Sequence, residues 1–240
     1  MSPEASVALA AVLCAVGGAL VPTLVARVPE PAPSPEPEPA GLPKVRYAEV
    51  AARPRLAVWT TLVSGLAGAL VGHAVGWDAA LVGLLPLVPV CVALAVVDLH
   101  TRLLPRVVVL PATGVLLVLA VVGAAVSGDP DPLVRAVVGM VAARSFFWVL
   151  WFVHSAGMGF GDVRLAALLG LALGHLGWAE LVVGTYAGFL LFAVPGLLLA
   201  IARRDLGLLR ASYPFGPAMI AGALLGVVAG PAVLDGLVGR

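Results

Sequence analysis

The sequence predicts an all-α membrane protein, a polytopic bundle of about eight transmembrane helices whose N-terminus lies outside. Two observations carry this prediction. Of the 240 residues, 61% are hydrophobic and only 11% are charged, whereas soluble domains carry roughly 25% charged residues. The apolar residues also form long runs, and clusters of turn-forming and charged residues separate one run from the next. These features exclude a secreted disulfide scaffold, a nucleic-acid-binding protein and an ordinary cytosolic enzyme.

Eight apolar runs are candidate spans, because a spanning helix needs about 20 mainly apolar residues. The sixth run is short for a crossing, so it either re-enters one membrane face or begins earlier, in the glycine stretch that precedes Asp162. The runs cover residues 6–27, 55–76, 79–98, 104–126, 133–155, 163–177, 179–201 and 215–237.

The basic residues set the orientation of these spans. Most of the 14 Lys and Arg residues lie in alternate loops, which are therefore expected inside, with the N-terminus outside. Glu4 precedes the first apolar run and no basic segment does, so we expect that run to be a span and not a cleaved signal peptide.

The first inside loop, residues 28–54, is expected to be an extended cytosolic spacer. Residues 29–43 contain seven prolines, a composition that favours the polyproline II conformation. A proline-rich ligand for a partner protein is the alternative. Elsewhere, small residues spaced four apart predict close contacts between helices. These are Gly68 and Gly72, Gly170 and Gly174, and Gly222, Gly226 and Gly230.

Two carboxylates need an explanation, because an ionisable group at membrane depth is costly. Asp98 ends the third run, and Asp162 opens the sixth, so the predicted topology places both at the inside face. Two carboxyl groups that share a site, one protonated and one ionised, can activate a water and protonate a leaving group. For either residue alone, a helix cap or a partner for Arg is the alternative. The glycines at 157, 159 and 161 favour a site at Asp162, because they allow close approach of an extended peptide.

Several segments appear in the same order as the motifs of a known family. Gly159-Phe-Gly161-Asp162 resembles the GxGD signature of the type IV prepilin peptidases, and Asp98-Leu-His-Thr-Arg-Leu-Leu-Pro105 resembles their other catalytic motif, an Asp followed by Leu-Pro. Pro214-Phe-Gly-Pro217 is similar to the C-terminal motif of that family, and residues 17–29 are a degenerate form of its first segment. GxGD alone is a weak pattern, but both Asp motifs in this order on one membrane face are specific.

The resemblance implies an intramembrane aspartyl endopeptidase, a single membrane-embedded peptidase domain over residues 1–240 in the bacterial inner membrane. Its substrates and partners would be prepilins or pilin-like proteins and membrane lipid, with no nucleic acid, and it would remove the leader peptide at the cytosolic face. The catalytic pair of the family falls on Asp98 and Asp162. Residues that support the motifs or a substrate loop would be Gly159, Gly161, Leu104, Pro105, Pro214, Gly216 and Pro217.

The chain also departs from the family. Many members bind zinc through two CxxC pairs in a cytosolic insert, but here the proline-rich loop takes that place. The two cysteines, Cys14 and Cys91, lie far apart in apolar runs, so we expect two buried thiols and no zinc. Proteolysis would need no cofactor, and S-adenosylmethionine would be needed only if the N-methyltransferase activity of bifunctional members were retained. Arg106 follows Pro105 where the family often has an acidic or amide residue.

Two other classes of function remain open at this point. The two Asp residues could form the ion or proton relay of a transporter or channel, although such sites tend to lie near the membrane midplane in repeated halves. The chain could also be a catalytically silent membrane scaffold.

Overall fold

The helices of the computed structural model cover nearly all of the residues that it describes, which are 2–30, 45–153, 158–205 and 213–238. These ranges contain no strand, which confirms the predicted all-α class. The helices are α1 (Pro3–Ala19), α2 (Val21–Arg27), α3 (Tyr47–Ala51), α4 (Leu56–Val75), α5 (Leu81–Thr101), α6 (Arg106–Ser127), α7 (Asp131–Val153), α8 (Phe160–Leu176), α9 (Trp178–Ala202) and α10 (Gly216–Val238).

Six helices, α4, α5, α6, α7, α9 and α10, are long and apolar enough to cross a membrane. The first predicted run is broken into α1 and α2, which are bent by 41° and make a seventh span if they are counted as one. Pro22 explains the break, because it has no N–H to donate to the carbonyl of Gly18. The backbone bends at Leu20, whose N–H donates to the Gly17 carbonyl instead.

Helix α8 corresponds to the short sixth run, and at 17 residues it is not one of these six or seven spans. It begins at Phe160, three residues before the predicted start. An α-helix of this length is about 25 Å long. The helix is also deeply buried: nearly every residue from Asp162 to Gly174 is inaccessible to solvent. Helix α8 therefore lies inside the bundle, with its first turn carrying Asp162.

The small residues that predict close helix contacts lie where three pairs of antiparallel helices meet. In α4, a Cβ at Gly68 would clash with Cys14 of α1. Between α7 and α8, a Cβ at Gly170 would lie 2.6 Å from the Gly139 carbonyl oxygen. Gly222, Gly226 and Gly230 bring α10 equally close to the backbone of α9. Only glycine allows these approaches, which confirms the predicted role of these positions.

The far end of α8 is held by Arg135 of α7. Its guanidinium donates hydrogen bonds to the carbonyls of Gly174 at 2.9 Å, His175 at 2.8 Å and Leu176 at 3.1 Å. The last carbonyls of a helix have no partner within the helix and carry partial negative charge, so a cation is the favourable cap. Arg135 thereby fixes α8 against α7.

The predicted spacer, residues 28–54, is partly structured at its C-terminal end. Tyr47 and Val50 of the short helix α3 are buried against α2 and against Val97 of α5. Helix α3 thus packs against α5 at Val97, the residue that precedes Asp98. Most of the segment for which we expect polyproline II, residues 31–44, lies outside the described residues. Cys14 and Cys91 are both buried free thiols, as expected.

Candidate active site

Asp98 lies in the last turn of α5 and is only 4% exposed. Helix α5 ends at Thr101 because Arg102 adopts a left-handed conformation with φ of 54°. The N–H of Arg102 donates to the Asp98 carbonyl at 2.8 Å. The side-chain carboxylate accepts its hydrogen bond from a distant part of the chain: the N–H of Gly216 lies 2.9 Å from its Oδ2 atom.

Gly216 is the first residue of α10, and its lack of a side chain makes this hydrogen bond possible. A Cβ at this position would lie 2.8 Å from Oδ2 of Asp98. The preceding residue, Phe215, is buried in an aromatic cluster with Phe147, Phe189 and Phe192, which fixes the start of α10. Within the segment from Pro214 to Pro217, the Gly216 backbone therefore contacts Asp98.

Asp162 lies in the first turn of α8 and is 7% exposed. Its Oδ2 atom accepts a hydrogen bond from the Gly159 N–H at 3.2 Å, while its own N–H donates to the Gly159 carbonyl at 3.0 Å. The predicted alternative of a helix cap is thus correct for Asp162, although capping does not preclude chemistry. The N-terminus of a helix also favours a negative charge at this position.

The structure brings both Asp motifs together. Helix α10, whose first residue Gly216 binds Asp98, packs on both α5 and α8, the helices that carry the two Asp residues. Their segments also touch, since a Cβ at Gly161 would lie 2.9 Å from Cβ of the buried Leu104. Gly161 must therefore be glycine for α8 to begin this close to the segment that follows α5.

The other residues that were predicted to support the site lie at or next to the N-terminal ends of α6, α8 and α10. Gly159 is the N-cap residue of α8, with extended backbone dihedrals. Pro105 is the N-cap residue of α6, and Pro217 lies in the first turn of α10, where a missing N–H costs no helical hydrogen bond. Pro214 precedes α10.

The main chain supplies the hydrogen-bond donors of both carboxylates. In the described ranges, each carboxylate has one backbone N–H donor, and no Arg or Lys acts on either. The predicted alternative of a structural ion pair with Arg therefore finds no support there. The same ranges hold no group of three or more His, Cys, Asp and Glu residues that could bind a metal ion. The described part of the site thus holds two buried carboxyl groups, each with one backbone donor.

The family model described as the type IV leader peptidase family matches residues 85–201, a segment that contains Asp98, Leu104 and Asp162. Over these residues, just under half of its length, the chain is similar to that family. This match is consistent with the resemblance of the two Asp motifs. The Gly216 segment lies beyond the matched residues, yet in the fold it contacts the matched segment at Asp98.

Several curated relatives carry the name prepilin leader peptidase/N-methyltransferase. The chain is 36% identical to that of Pseudomonas putida over 135 residues, which are 56% of this chain and 45% of the relative. It is 31% identical to that of Neisseria gonorrhoeae over 163 residues, 66% and 52% of the two chains. It is 32% identical to that of Dickeya chrysanthemi over 176 residues, 70% and 57%. The chain spans about half the length of these relatives, and no solved structure matches it.

Two features of the site were missed by sequence reasoning. The Gly216 N–H was not identified as a hydrogen-bond donor to Asp98, because a backbone donor leaves no chemical signature in a sequence. The Arg135 cap of α8 was counted only as a loop charge, although its position near the start of α7 would have allowed contact with the end of the next helix.

Proposed function

We propose that this chain is an intramembrane aspartyl endopeptidase that removes the leader peptide of prepilins or pilin-like proteins. The observation that carries the proposal is the convergence of three distant segments on Asp98 and Asp162. The Gly216 N–H binds one carboxylate, the Gly159 N–H binds the other, and Gly161 packs on Leu104 between them. The printed names of the relatives support the choice of substrate.

The mechanism follows from two carboxyl groups in an apolar site. Repulsion between them favours the state in which one is protonated and one is ionised. The ionised group takes a proton from a water, which attacks the scissile carbonyl carbon, while the protonated group donates its proton toward the carbonyl oxygen. Collapse of the tetrahedral intermediate breaks the C–N bond, and the amine leaves with a proton from the pair. The two groups act as a unit and titrate together.

We further propose that cleavage takes place at the cytosolic face of the bacterial inner membrane. The basic residues of the alternate loops support an outside N-terminus, and therefore a cytosolic position for the ends of α5 and α8 that carry the two Asp residues. In this proposal, residues 1–240 form a single membrane-embedded domain.

The names of the relatives also include an N-methyltransferase, but we propose proteolysis alone for this chain. The first segment, which is degenerate, packs its two glycines against other helices. A Cβ at Gly17 would lie 2.7 Å from Cγ of Pro89, and one at Gly18 would clash with the backbone of α4 at Thr60. These glycines thus serve helix packing.

The rival interpretation, a relay in a transporter or channel, has less support. Transporter coupling sites tend to lie near the midplane of the membrane, within broken helices. Asp98 and Asp162 instead lie in the last turn of α5 and the first turn of α8.

Co-expression with a candidate prepilin tests the proposal. Leader removal, followed as a mobility shift on a gel, is expected with the unmodified chain and is expected to be lost in both Asp98→Ala and Asp162→Ala. Asp235→Asn, which alters an exposed carboxylate in α10, is the matched control and should cleave normally. Cleavage that persists in either Ala variant removes that residue from catalysis.

A further inference from the structure

Helix α7 carries a charged residue on its outer surface, far from either end of the span. Arg144 is exposed, and along the helix it lies about 20 Å from Asp131 and about 14 Å from Val153, at 1.5 Å per residue. Its side chain leaves the helix toward the N-terminal end, as helical side chains do, and therefore toward the longer of these two stretches. The guanidinium thus cannot reach the membrane surface by extending the side chain, and a charge within the hydrocarbon layer is costly.

The bundle itself does not offset this cost. Within the described ranges, the guanidinium of Arg144 forms no ion pair and no hydrogen bond. The buried face of α7, which includes Gly139, Ala143 and Phe147, packs against the other helices. Arg144 lies beside this face and is left exposed.

Next to Arg144, α7 exposes a stripe with the spacing of a seam between two helices. The members of this α7 stripe alternate at intervals of four and three residues, which are the a and d positions of a heptad. They are Val134, Val138, Val141, Ser145, Trp148 and Phe152, and all six are exposed. At 100° per residue the stripe lies on the opposite side of α7 from the buried face, so it is open to a helix from outside the bundle.

The heptad gives Arg144 and its neighbours specific positions in such a seam. Arg144 takes a g position, which flanks the seam and pairs with an opposite charge on the facing helix. Ser145 takes an a position, where a small residue allows two helices to approach closely. Trp148 and Phe152 stack with their ring centroids 5.5 Å apart and form a preorganised aromatic anchor near the C-terminal end of α7.

Helix α6 shows how a surface that contacts only lipid differs from this one. Its exposed side chains, among them Val115, Val118 and Val122, are apolar. Its only charged residue is Arg106, which is the first residue of the helix and can therefore reach the membrane surface. The depth of Arg144 thus distinguishes α7 from a helix that is simply solvated by lipid.

The group that best offsets the cost of Arg144 is a carboxylate at the same depth, because the two charges then form a charge-assisted hydrogen-bonded pair. A lipid phosphate would have to be drawn about 14 Å along the span from its nearer end. A second copy of this chain does not supply the carboxylate, since its described acidic residues lie in the first or last turn of a helix or between helices. The matching occupant is a helix of another membrane protein.

We propose that the α7 stripe binds a transmembrane helix of a partner membrane protein, and that Arg144 pairs with an Asp or Glu side chain near the middle of that helix. The α7 stripe faces away from α8, which carries Asp162. A helix bound there lies outside the candidate active site and is a partner, not a substrate in position for cleavage. The proposal is independent of the proposed protease function.

Model transmembrane helices test the pairing. The probe is a synthetic spanning helix of Leu and Ala with one Glu at its centre, and its companions carry Gln or Leu there. The vesicles contain only phosphatidylcholine, and energy transfer is measured from a donor on Asp129→Cys, in a chain with Cys14 and Cys91 replaced by Ala, to an acceptor on the peptide. The Glu helix is expected to half-saturate at a peptide-to-lipid ratio at least about tenfold below that of the Leu helix, with Gln between them. Equal ratios for Glu and Leu would overturn the proposal.

Variants of Arg144 separate a binding role from a structural one. Arg144→Met removes the charge and is expected to abolish the preference for the Glu helix, whereas Arg144→Lys should retain part of it. The melting temperature of the Met variant in detergent should not fall, because the guanidinium has no partner within the described ranges. A Met variant that still prefers the Glu helix, or that is clearly less stable than the unmodified chain, would contradict the proposal.

A pair of aromatic variants locates the bound helix. Trp148→Ala is expected to raise the half-saturating ratio of the Glu helix several-fold, while Trp59→Ala, which removes an exposed ring from α4, is the matched control and should leave it unchanged. Equal effects of the two variants would show that the helix does not bind at α7.

Two further measurements distinguish the other occupants. Phosphatidylglycerol added to the vesicles should leave the preference for the Glu helix intact; its loss would identify a lipid headgroup as the partner of Arg144. Energy transfer between two labelled copies of the chain, measured without peptide, should be the same for the unmodified chain and Arg144→Met. Strong transfer that the Met substitution abolishes would assign the α7 stripe to a second copy and overturn the proposal.

Discussion

At the residue scale, each carboxylate of the candidate site is held by a backbone donor, and at Gly216 the donor comes so close that a side chain would not fit. Asp98 is held by the N–H of Gly216 and Asp162 by the N–H of Gly159. A buried carboxylate needs such donors, because an unpaired charge in an apolar site is strongly unfavourable. The close approaches at Gly161 and Gly216 therefore position the two carboxylates of the candidate site.

Gly216→Ala is expected to reduce cleavage by at least about tenfold, since loss of a hydrogen bond to a charged group costs about 1.5–3 kcal/mol. The physical reason is the new Cβ, which would lie 2.8 Å from Oδ2 of Asp98 and push the carboxylate away. Initial rates of leader removal measure the effect. Gly236→Ala lies on the same helix in open space and should have the normal rate; equal rates for the two variants would show that the close approach is unimportant.

The two Asp residues could be identified from sequence, whereas their backbone partners could not. Charged residues make up only 11% of the chain, so Asp98 and Asp162 stand out at the ends of apolar runs. The donor to Asp98 depends on where α10 begins and on how Phe215 packs among Phe147, Phe189 and Phe192. These are tertiary contacts that have no local signature.

At the element scale, α8 is the helix on which the geometry of the site depends. Its first turn carries Asp162, its middle packs on α7 through Gly170, and its last carbonyls are capped by Arg135. The sequence predicted the glycine contacts, and of its two alternatives for the short run, re-entry or an earlier start in the glycine stretch, the earlier start is confirmed. The actual start at Phe160 follows from the cap that Asp162 forms on Gly159, which lies before the apolar run.

Replacement of Arg135 should loosen the far end of α8. Arg135→Met leaves the carbonyls of Gly174, His175 and Leu176 without their donor, and we expect a loss of about 1–3 kcal/mol in the free energy of unfolding. The melting temperature in detergent measures this loss. Arg135→Lys, which keeps a cation near the helix end, should lie between Met and the unmodified chain; a Met variant as stable as the unmodified chain would rule out the cap.

Helix pairing by glycine gives a second prediction at this scale. Gly170→Val would drive side-chain atoms into the Gly139 backbone, so we expect most of the protein to be lost from the monodisperse peak in size-exclusion chromatography. Gly123→Val, on α6 with open space around it, is the control. Similar yields of both variants would mean that α7 and α8 are not packed this closely.

At the scale of the whole molecule, the connectivity explains how distant motifs meet. Helices α6 and α7 separate Asp98 from Asp162, so two crossings return the chain to the same face. Helices α8 and α9 likewise separate Asp162 from Gly216, and the Gly216–Asp98 hydrogen bond requires the chain to return there again. If α9 crosses the membrane, α8 must therefore cross as well, although it has only 17 residues.

Single-cysteine labelling tests this topology. In a chain with Cys14 and Cys91 replaced by Ala, Asp129→Cys and Trp178→Cys are expected to react with a membrane-impermeant maleimide from the same side, and Arg204→Cys from the opposite side. Trp178 is exposed at the start of α9, so access to the reagent is not limited by packing. A re-entrant α8 would instead place position 178 on the side opposite to position 129.

The sequence therefore predicted the class, the helix order and the candidate pair, because hydropathy and charge act along the chain. It did not predict the break at Leu20 or the burial of Tyr47, although Pro22 was visible within the first run. The burial of Tyr47 depends on contacts with α2 and α5, which are separate from α3 in the sequence.

The central claim is that Asp98 and Asp162 act as one catalytic unit, and cleavage by the purified chain in proteoliposomes tests it most directly. The rate of leader removal is measured for Asp98→Asn, Asp162→Asn and the double variant, with Asp235→Asn as the control. Residues that act as a unit have strongly non-additive effects. We predict that each single variant loses cleavage to background, that the double variant is no worse, and that all remain folded. Cleavage that survives in either single variant would contradict the claim.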